Sequence, residues 1–269
     1  MSRVQGSAFI LRKWELGESD LLVSFLDQER GKRRGVAKGA KRSKKRFGGL
    51  LSPFLLLQLD YAEKPGGSLA RIEACSLVRY YASLHMDLSK LLVGCSWLEL
   101  LERVLPEGEE ARVFFPLLEE ALGLLDNREK AGSLLWVFLV KCLTVMGLAP
   151  QFRTCIRCKR KLGSAGIFGF SVAQGGAVCG DCSRKSPVSH RVDAKTLALL
   201  DQWIVAPMRS IGEANGAGAN LREAEGVVEA FLCYHVVHEL RSVRVLRRVE
   251  RAMLVKGDFR EHPGSDLLS

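Results

Sequence analysis

The run Leu55-Leu56-Leu57-Gln58-Leu59-Asp60-Tyr61 sets Leu55, Leu57, Leu59 and Tyr61 on one parity and Leu56, Gln58 and Asp60 on the other. A period of two is the signature of a strand with one buried face. Ala70, Ile72 and Ala74 alternate with Arg71 and Glu73 in the same way. Upstream, Ala8 to Leu11, Leu21 to Leu26 and Lys32 to Ala37 are further strand candidates. Gly17, Gly31, Gly48-Gly49 and Pro65-Gly66-Gly67 punctuate them as turns. Five short strands within about 75 residues predict a small closed or nearly closed β-barrel over residues 1–80.

Downstream the period changes. Leu88, Leu91, Leu92, Cys95, Leu98, Leu101 and Leu105 follow helical spacing and stop before Pro106. Arg112 to Leu125 and Ser133 to Met146 predict further helices, the second ended by Gly147 and Pro150. Residues 81–150 therefore read as the first part of a helical domain. Residues 151–190 are rich in Cys, Gly, Lys and Arg, show little apolar periodicity, and need a stabiliser other than a core. Helix resumes over Asp193 to Val205. Ser210 to Asn220, with its Gly-Ala repeats, predicts a mobile loop. Asn220, with Glu223 in the capping-box position, then predicts one long helix to about Arg251. Residues 191–256 thus complete the helical domain, and 257–269 predict a frayed tail. The fold class expected is α+β and multidomain.

Charge is concentrated rather than spread. The chain has 40 basic and 30 acidic residues, a net charge of +10. Ten of the basic ones lie between Arg30 and Arg46, and no acid interrupts them before Asp60. A local positive field of this kind selects polyanions. Lys32, Arg33 and Arg34 fall in a predicted strand, so their side chains alternate across a barrel surface. Lys38, Lys41, Arg42, Lys44, Lys45 and Arg46 occupy the following loop, between Gly39 and Gly48-Gly49. A solvated, disordered charged loop is the competing reading. A barrel face joined to a basic loop is also how an OB-fold tracks a phosphate backbone. Phe47 and Phe54 are expected in the core, with base stacking as their alternative.

Cys155-x2-Cys158 and Cys179-x2-Cys182 form two knuckle-spaced pairs suited to one structural zinc ion. Four thiolates on Zn²⁺ leave a charge of −2. Arg153, Arg157, Lys159, Arg160, Lys161, Arg184 and Lys185 flank them and would offset it. A redox dithiol needs only one pair, a catalytic zinc needs an open ligand position, and a zinc deaminase needs an H-x-E that does not precede these cysteines. The other four cysteines (Cys75, Cys95, Cys142, Cys233) sit beside apolar neighbours, as buried free thiols in a reducing cytosol would.

Arg241, Arg244, Arg247, Arg248 and Arg251 recur at helical spacing near the end of the chain. They fit a solvated helix face or a DNA contact equally well. His235 and His238 lie on the apolar side of the same segment and read as buried or interfacial. Asp20 and Asp27 are isolated and read as strand ends. No phosphate-cradling glycine motif, magnesium-binding carboxylate cluster, nucleophile elbow or zincin signature occurs, which favours a non-catalytic role. The most apolar run, Leu134 to Val140, is far shorter than the roughly 20 residues a membrane span needs. Met1 to Gln5 lead straight into an alternating segment rather than a signal-like apolar stretch.

Several motifs together resemble the bacterial RecO family of DNA repair and recombination mediators. They are Gly17-Glu18-Ser19-Asp20, Gly31-Lys32, Ala37-Lys38-Gly39-Ala40-Lys41-Arg42, Arg46-Phe47-Gly48-Gly49-Leu50-Leu51 and Ser52-Pro53-Phe54. Ile72-Glu73-Ala74, Glu99-Leu100-Leu101-Glu102-Arg103-Val104-Leu105, Met146-Gly147-Leu148-Ala149-Pro150 and the four zinc-type cysteines follow in order. Where the family tends to have a Gly-containing turn before a basic-Ser pair, this chain has His238-Glu239-Leu240-Arg241-Ser242. The resemblance implies an N-terminal OB-fold, a helical domain and a zinc module. It implies binding of single- and double-stranded DNA and annealing of complementary strands. It further implies partnership with RecR and single-stranded DNA-binding protein in loading recombinase onto coated strands, in the cytoplasm and at the nucleoid during repair. The alternative expectation is an RNA-binding zinc-ribbon protein of translation or ribosome assembly.

Overall fold

The structure is a computed structural model that describes residues 2–63, 69–128, 131, 133–211 and 218–258, with side chains described up to Ala252. The turn at Pro65-Gly66-Gly67, most of the Gly-Ala loop and the tail after Asp258 lie outside the described residues.

Five strands close a barrel: β1 (Ser2–Leu16), β2 (Asp20–Asp27), β3 (Gly31–Ala37), β4 (Leu55–Glu63) and β5 (Ala70–Tyr80). Their order is β1-β2-β3-β5-β4, with β4 pairing back onto β1 and only β3–β5 parallel. That is the Greek-key order of an OB-fold. The alternation in β4 is realised: Leu55, Leu57, Leu59 and Tyr61 fill the barrel with Ile10, Val23, Phe25 and Ile72. Leu56, on the other parity, packs with Phe9, Leu11 and Leu26 into the helical core outside. Strand β1 runs well beyond the expected Ala8–Leu11. An irregularity between Ile10 and Arg12 lets it leave β4, and its polar half continues as a hairpin with β2. Asp20 and Asp27 do bound β2. Asp27 is buried and accepts the backbone N–H groups of Glu29 and Arg30 and the hydroxyl of Tyr61. Burial and that neighbouring carboxylate push the Tyr61 phenol up.

The helical part comprises α1 (Ser83–Met86), α2 (Leu88–Val104), α3 (Phe114–Asn127), α4 (Leu134–Val145), α5 (Gly180–Lys185), α6 (Ala194–Val205), α7 (Ala219–His235) and α8 (Arg241–Asp258). Buried Trp97, Phe138, Leu139 and Trp203 centre its core. Among the described residues no helix is long and apolar enough to cross a membrane. Residues 151–190, expected to lack a core, instead build a three-stranded sheet of β6 (Ile167–Ser171), β7 (Gly176–Val178) and β8 (His190–Asp193). Its Phe170, Ala177 and Val192, with nearby Phe152 and Val172, join the helical core directly.

The long final helix is two helices. Neither Pro nor Gly lies between His235 and Arg241, so the sequence carries no breaker. The break comes from a distant carboxylate: Glu99 on α2 accepts the backbone N–H groups of Arg241 (3.0 Å) and Ser242 (2.9 Å) and the Ser242 hydroxyl. These N–H groups are free to donate outward only if a helix begins there. Burial opposes a charge on Glu99, but the Ser242 and Arg241 donors win and hold its carboxyl below the ordinary range. The expected Asn220 cap is displaced too: α7 starts from Gly218, and Glu223 accepts the Asp193 N–H instead. His235 and His238 are exposed rather than buried, and the His235 ring meets the Val172 carbonyl at 2.7 Å.

One turn below Glu99, Glu102 joins the barrel to the helices. Its carboxylate lies 3.4 Å from the Lys32 ammonium, with the two side chains 6% and 3% exposed. Lys32 also donates to the carbonyls of Glu102 and Leu105, and Ser24 donates to the same carboxylate. Alongside, Gly31 (φ +68°) sits so close to the Gly108 carbonyl that any side chain there would collide with it. The Gly108 N–H donates to the Lys32 carbonyl.

Two outcomes follow from these carboxylates. Glu102→Gln or Lys32→Met should each lower stability by roughly 3–5 kcal/mol in urea unfolding, because each leaves a buried partner charge alone. The Lys32→Met/Glu102→Leu pair should recover most of that loss. Glu99→Gln should cost about 1 kcal/mol, the worth of an N-terminal cap. Because the folded-state acidity of Glu99 is raised, its contribution is present above the unfolded carboxyl pKa and lost as pH falls through the lower folded value. The difference between wild type and Glu99→Gln, followed by thermal unfolding, should therefore vanish on acidification.

Candidate nucleic-acid interface and metal centre

The basic stretch divides into an inner and an outer part. Lys32 is corrected outright: it is buried against Glu102 and presents no charge to a ligand. The parity argument holds, but the outer face of β3 at Lys32 is covered by α2 rather than by solvent. Arg33 projects on the opposite parity and pairs with Glu63 at 3.2 Å, where Arg30 joins it. Arg34 reaches Glu102 at 3.4 Å and Glu107 at 3.2 Å. The strand residues are thus largely neutralised by internal carboxylates that lie far away in sequence.

Lys38, Lys41, Arg42, Lys44, Lys45 and Arg46 are all exposed. They stand on a loop with its own framework. Asp20 accepts the Gly39 N–H at 2.8 Å, a bond that leads in lowering its pKa, with help from the Ser19 hydroxyl. Ser43 donates its N–H to the Gly39 carbonyl, Gly48 to Ser43, and Cys75 on β5 to Arg46. Arg46 turns back to the Lys38 carbonyl at 2.7 Å and lies over the Phe47 ring at 5.0 Å. Phe47, 1% exposed, anchors the loop in the barrel core with Ala40 and Leu51. Phe54 is likewise buried, its ring against Gly94 of α2 where a side chain would collide. Neither phenylalanine offers a face to solvent. Lys41 bonds Glu15 and the Gly17 carbonyl, and Arg42 pairs with Glu18, so the loop also grips the tip of the β1–β2 hairpin. Lys38, Lys44 and Lys45 have no carboxylate partner among the described residues.

The second basic cluster is mixed. Arg247 is tied to Glu225, Glu229 and Glu250 and stacks over Trp136 at 5.1 Å. Arg244 pairs with Glu239. Arg241, Arg248 and Arg251 are exposed.

The four cysteines converge. Cys155 and Cys158 belong to a knuckle in which Lys159 (φ +62°) donates its N–H to the Cys155 carbonyl. Cys179 and Cys182 open the short helix α5. All four sulfurs lie within 4.8 Å of one another, and Cys158 Sγ and Cys179 Sγ are 3.7 Å apart. Metal–sulfur bonds of 2.3 Å in a tetrahedron put neighbouring sulfurs about 3.8 Å apart, so the donor set fits a single ion. Burial raises the Cys155 thiol, but N–H donors from Cys158, Cys179 and Arg157 prevail and bring it to about 6. The Cys179 hydrogen bond then leads in pushing Cys182 up to about 12. Thiolates held this close repel one another, and a cation at their centre would relieve that repulsion. The flanking basic residues have further duties: Arg157 donates to the carbonyls of Cys182, Ser186 and Pro187, and Arg153 and Arg160 pair with Asp201 and Asp181.

Sequence comparison meets this geometry from another side. The family described as Recombination protein O N terminal matches residues 1–81, and Recombination protein O C terminal matches residues 85–244. A DNA repair protein RecO of Desulfatibacillum aliphaticivorans is 35% identical over 265 residues, covering 93% of this chain and 99% of its own. One from Anaeromyxobacter dehalogenans (strain 2CP-C) is 32% identical, with 93% and 98% coverage. One from Nocardioides sp. (strain ATCC BAA-499 / JS614) is also 32% identical, with 90% and 98% coverage. With both family models matched in order and these relatives covering at least 90% of its length, the chain belongs to the RecO family of DNA repair proteins.

Proposed function

We propose that this protein is a non-catalytic recombination mediator that binds single- and double-stranded DNA through the Lys38–Arg46 loop and anneals complementary strands. The observation that carries the reading is the set of six exposed cations on an ordered loop of an OB barrel, with no acid inside the loop. Two complementary strands repel through their phosphates. Cations displayed on a fixed loop neutralise both while leaving bases free to pair. As the family resemblance implies, RecR and single-stranded DNA-binding protein are the proposed partners in loading recombinase, in the cytoplasm. In the proposed division of labour, residues 1–80 hold DNA and residues 151–190 carry the metal. Residues 81–150 and 191–256 form the helical domain between them. The alternative RNA-binding role draws no support from the DNA repair names of the relatives.

The metal we propose is one structural zinc ion held by Cys155, Cys158, Cys179 and Cys182. Four soft sulfur donors close its shell and leave no position for a reacting ligand. Bound there, zinc would supply cross-linking of the knuckle to α5 rather than chemistry.

Two measurements test these assignments. Affinity for single strands should fall with salt along a log–log line, and Lys38→Ala/Lys44→Ala/Lys45→Ala should flatten its slope by roughly 2, at about 0.7 per phosphate. Annealing should slow in parallel while the thermal midpoint stays put; an unchanged slope would sink the loop assignment. Elemental analysis of the purified chain should give one zinc per molecule. Cys155→Ser should abolish it and lower the thermal midpoint of the whole helical part, since Phe152 and Phe170 tie the two together.

A further inference from the structure

Of the four tryptophans, Trp97, Trp136 and Trp203 are buried at 0%, 3% and 0% exposure. Only Trp14 is partly open to solvent. It sits in the polar half of β1, a hairpin segment that a barrel core does not need. Register places its neighbours. Trp14 lies opposite Leu22, which lies opposite Val36; in the next row Arg12 lies opposite Ser24, which lies opposite Arg34. Cross-strand partners share a face. This is the outer face that α2 covers at Ser24 and Lys32, and the Trp14 row is where that cover stops.

Two cations lie over the ring. The Arg12 guanidinium carbon is 4.9 Å from its centroid and that of Arg34 is 5.9 Å away. Arg34 is fixed from behind by Glu102 and Glu107. Arg12 is exposed and has no carboxylate partner among the described residues. The Lys38–Arg46 loop holds the tip of the same hairpin through Lys41 and Glu15, on the opposite face from Trp14, so loop and ring flank the two sides of one hairpin.

We propose that Trp14, with Arg12 and Arg34, is a stacking site for an unpaired nucleobase, on the far side of the hairpin whose tip the basic loop grips. An indole supplies a flat apolar face, the exposed Arg12 that lies over it can give way to a base, and the charge of both guanidinium groups suits the phosphates on either side. A base offers its face only when it is out of a duplex, so this site favours single strands whereas the loop attracts both forms. It lets one protein hold a strand with some bases anchored and the rest exposed for pairing. The inference rests on the DNA-binding reading of the loop. The competing role for Trp14 is purely to cover Leu22 and Val36, which would make it matter for stability and equally for every ligand.

All four indoles emit, but only Trp14 is open to a stacked base, so a DNA-dependent change in emission reports on it. Titrating the full chain with oligo(dT) should quench or shift the emission saturably, and Trp14→Phe should abolish that change while keeping affinity within a few-fold. Trp14→Leu, which retains apolar cover without a π face, should weaken oligo(dT) binding about tenfold, within the range for loss of one stacked base. Duplex affinity, the salt slope and the thermal midpoint should stay at wild-type values. Equal losses on single strands and duplex, or saturated binding with unaltered emission, would overturn the site. Salt-dependent DNA binding that is normal in Trp14→Leu defeats only this inference, whereas a wild-type chain that binds no DNA defeats the loop reading beneath it.

Discussion

The contact on which the rest of the architecture hangs is the buried ion pair of Lys32 and Glu102. Desolvating two charges is costly, and such a pair persists only when its remaining hydrogen-bonding capacity is met. Here Ser24 and the carbonyls of Glu102 and Leu105 meet it. An apolar junction would tolerate sliding between barrel and helices. A lysine that must meet one carboxylate and two carbonyls does not. With Glu99 one turn away fixing the start of α8, a single face of α2 sets the position of the barrel on one side and the last helix on the other.

That constraint also decides which positive charges are available outside. The basic stretch is continuous in sequence, but the fold splits it. Arg30, Lys32, Arg33 and Arg34 are spent on Glu63, Glu102 and Glu107, so their field is largely cancelled at short range. In the loop from Lys38 to Arg46 only Lys41 and Arg42 meet carboxylates, Glu15 and Glu18, and among the described residues Lys38, Lys44 and Lys45 meet none. The sequence total overstates the surface field near β3 and describes it well near the loop.

Legibility followed the range of the interactions involved. Period-two runs in β4 and β5, helical spacing in α2, and the cysteine knuckles are local patterns, and each stands where the residues indicated. The break before α8 was not legible, because its cause is Glu99, far upstream, acting on a segment free of Pro and Gly. The fate of Lys32 was hidden for the same reason: strand parity gave its face, but only tertiary packing shows that α2 covers that face. The strands β6 to β8 are very short and lie among polar residues, so no window holds enough alternation to reveal them. Phe47 and Phe54 were ambiguous between core and ligand contact, and burial settles both as core.

The order within the basic loop bears on how it can act. A disordered cationic segment would lose conformational freedom on every encounter with a phosphate backbone and would wrap whichever strand arrived first. Phe47 in the core, Asp20 on the Gly39 N–H and the Arg46 bond to the Lys38 carbonyl remove most of that freedom in advance. The lysines then stand apart on a rigid base rather than collapsing together around one strand. Their long side chains remain adaptable while the backbone does not. On the proposed reading, a surface of this kind would neutralise phosphates without fixing the bases they carry, and that combination would let a second strand compete for pairing instead of being shut out.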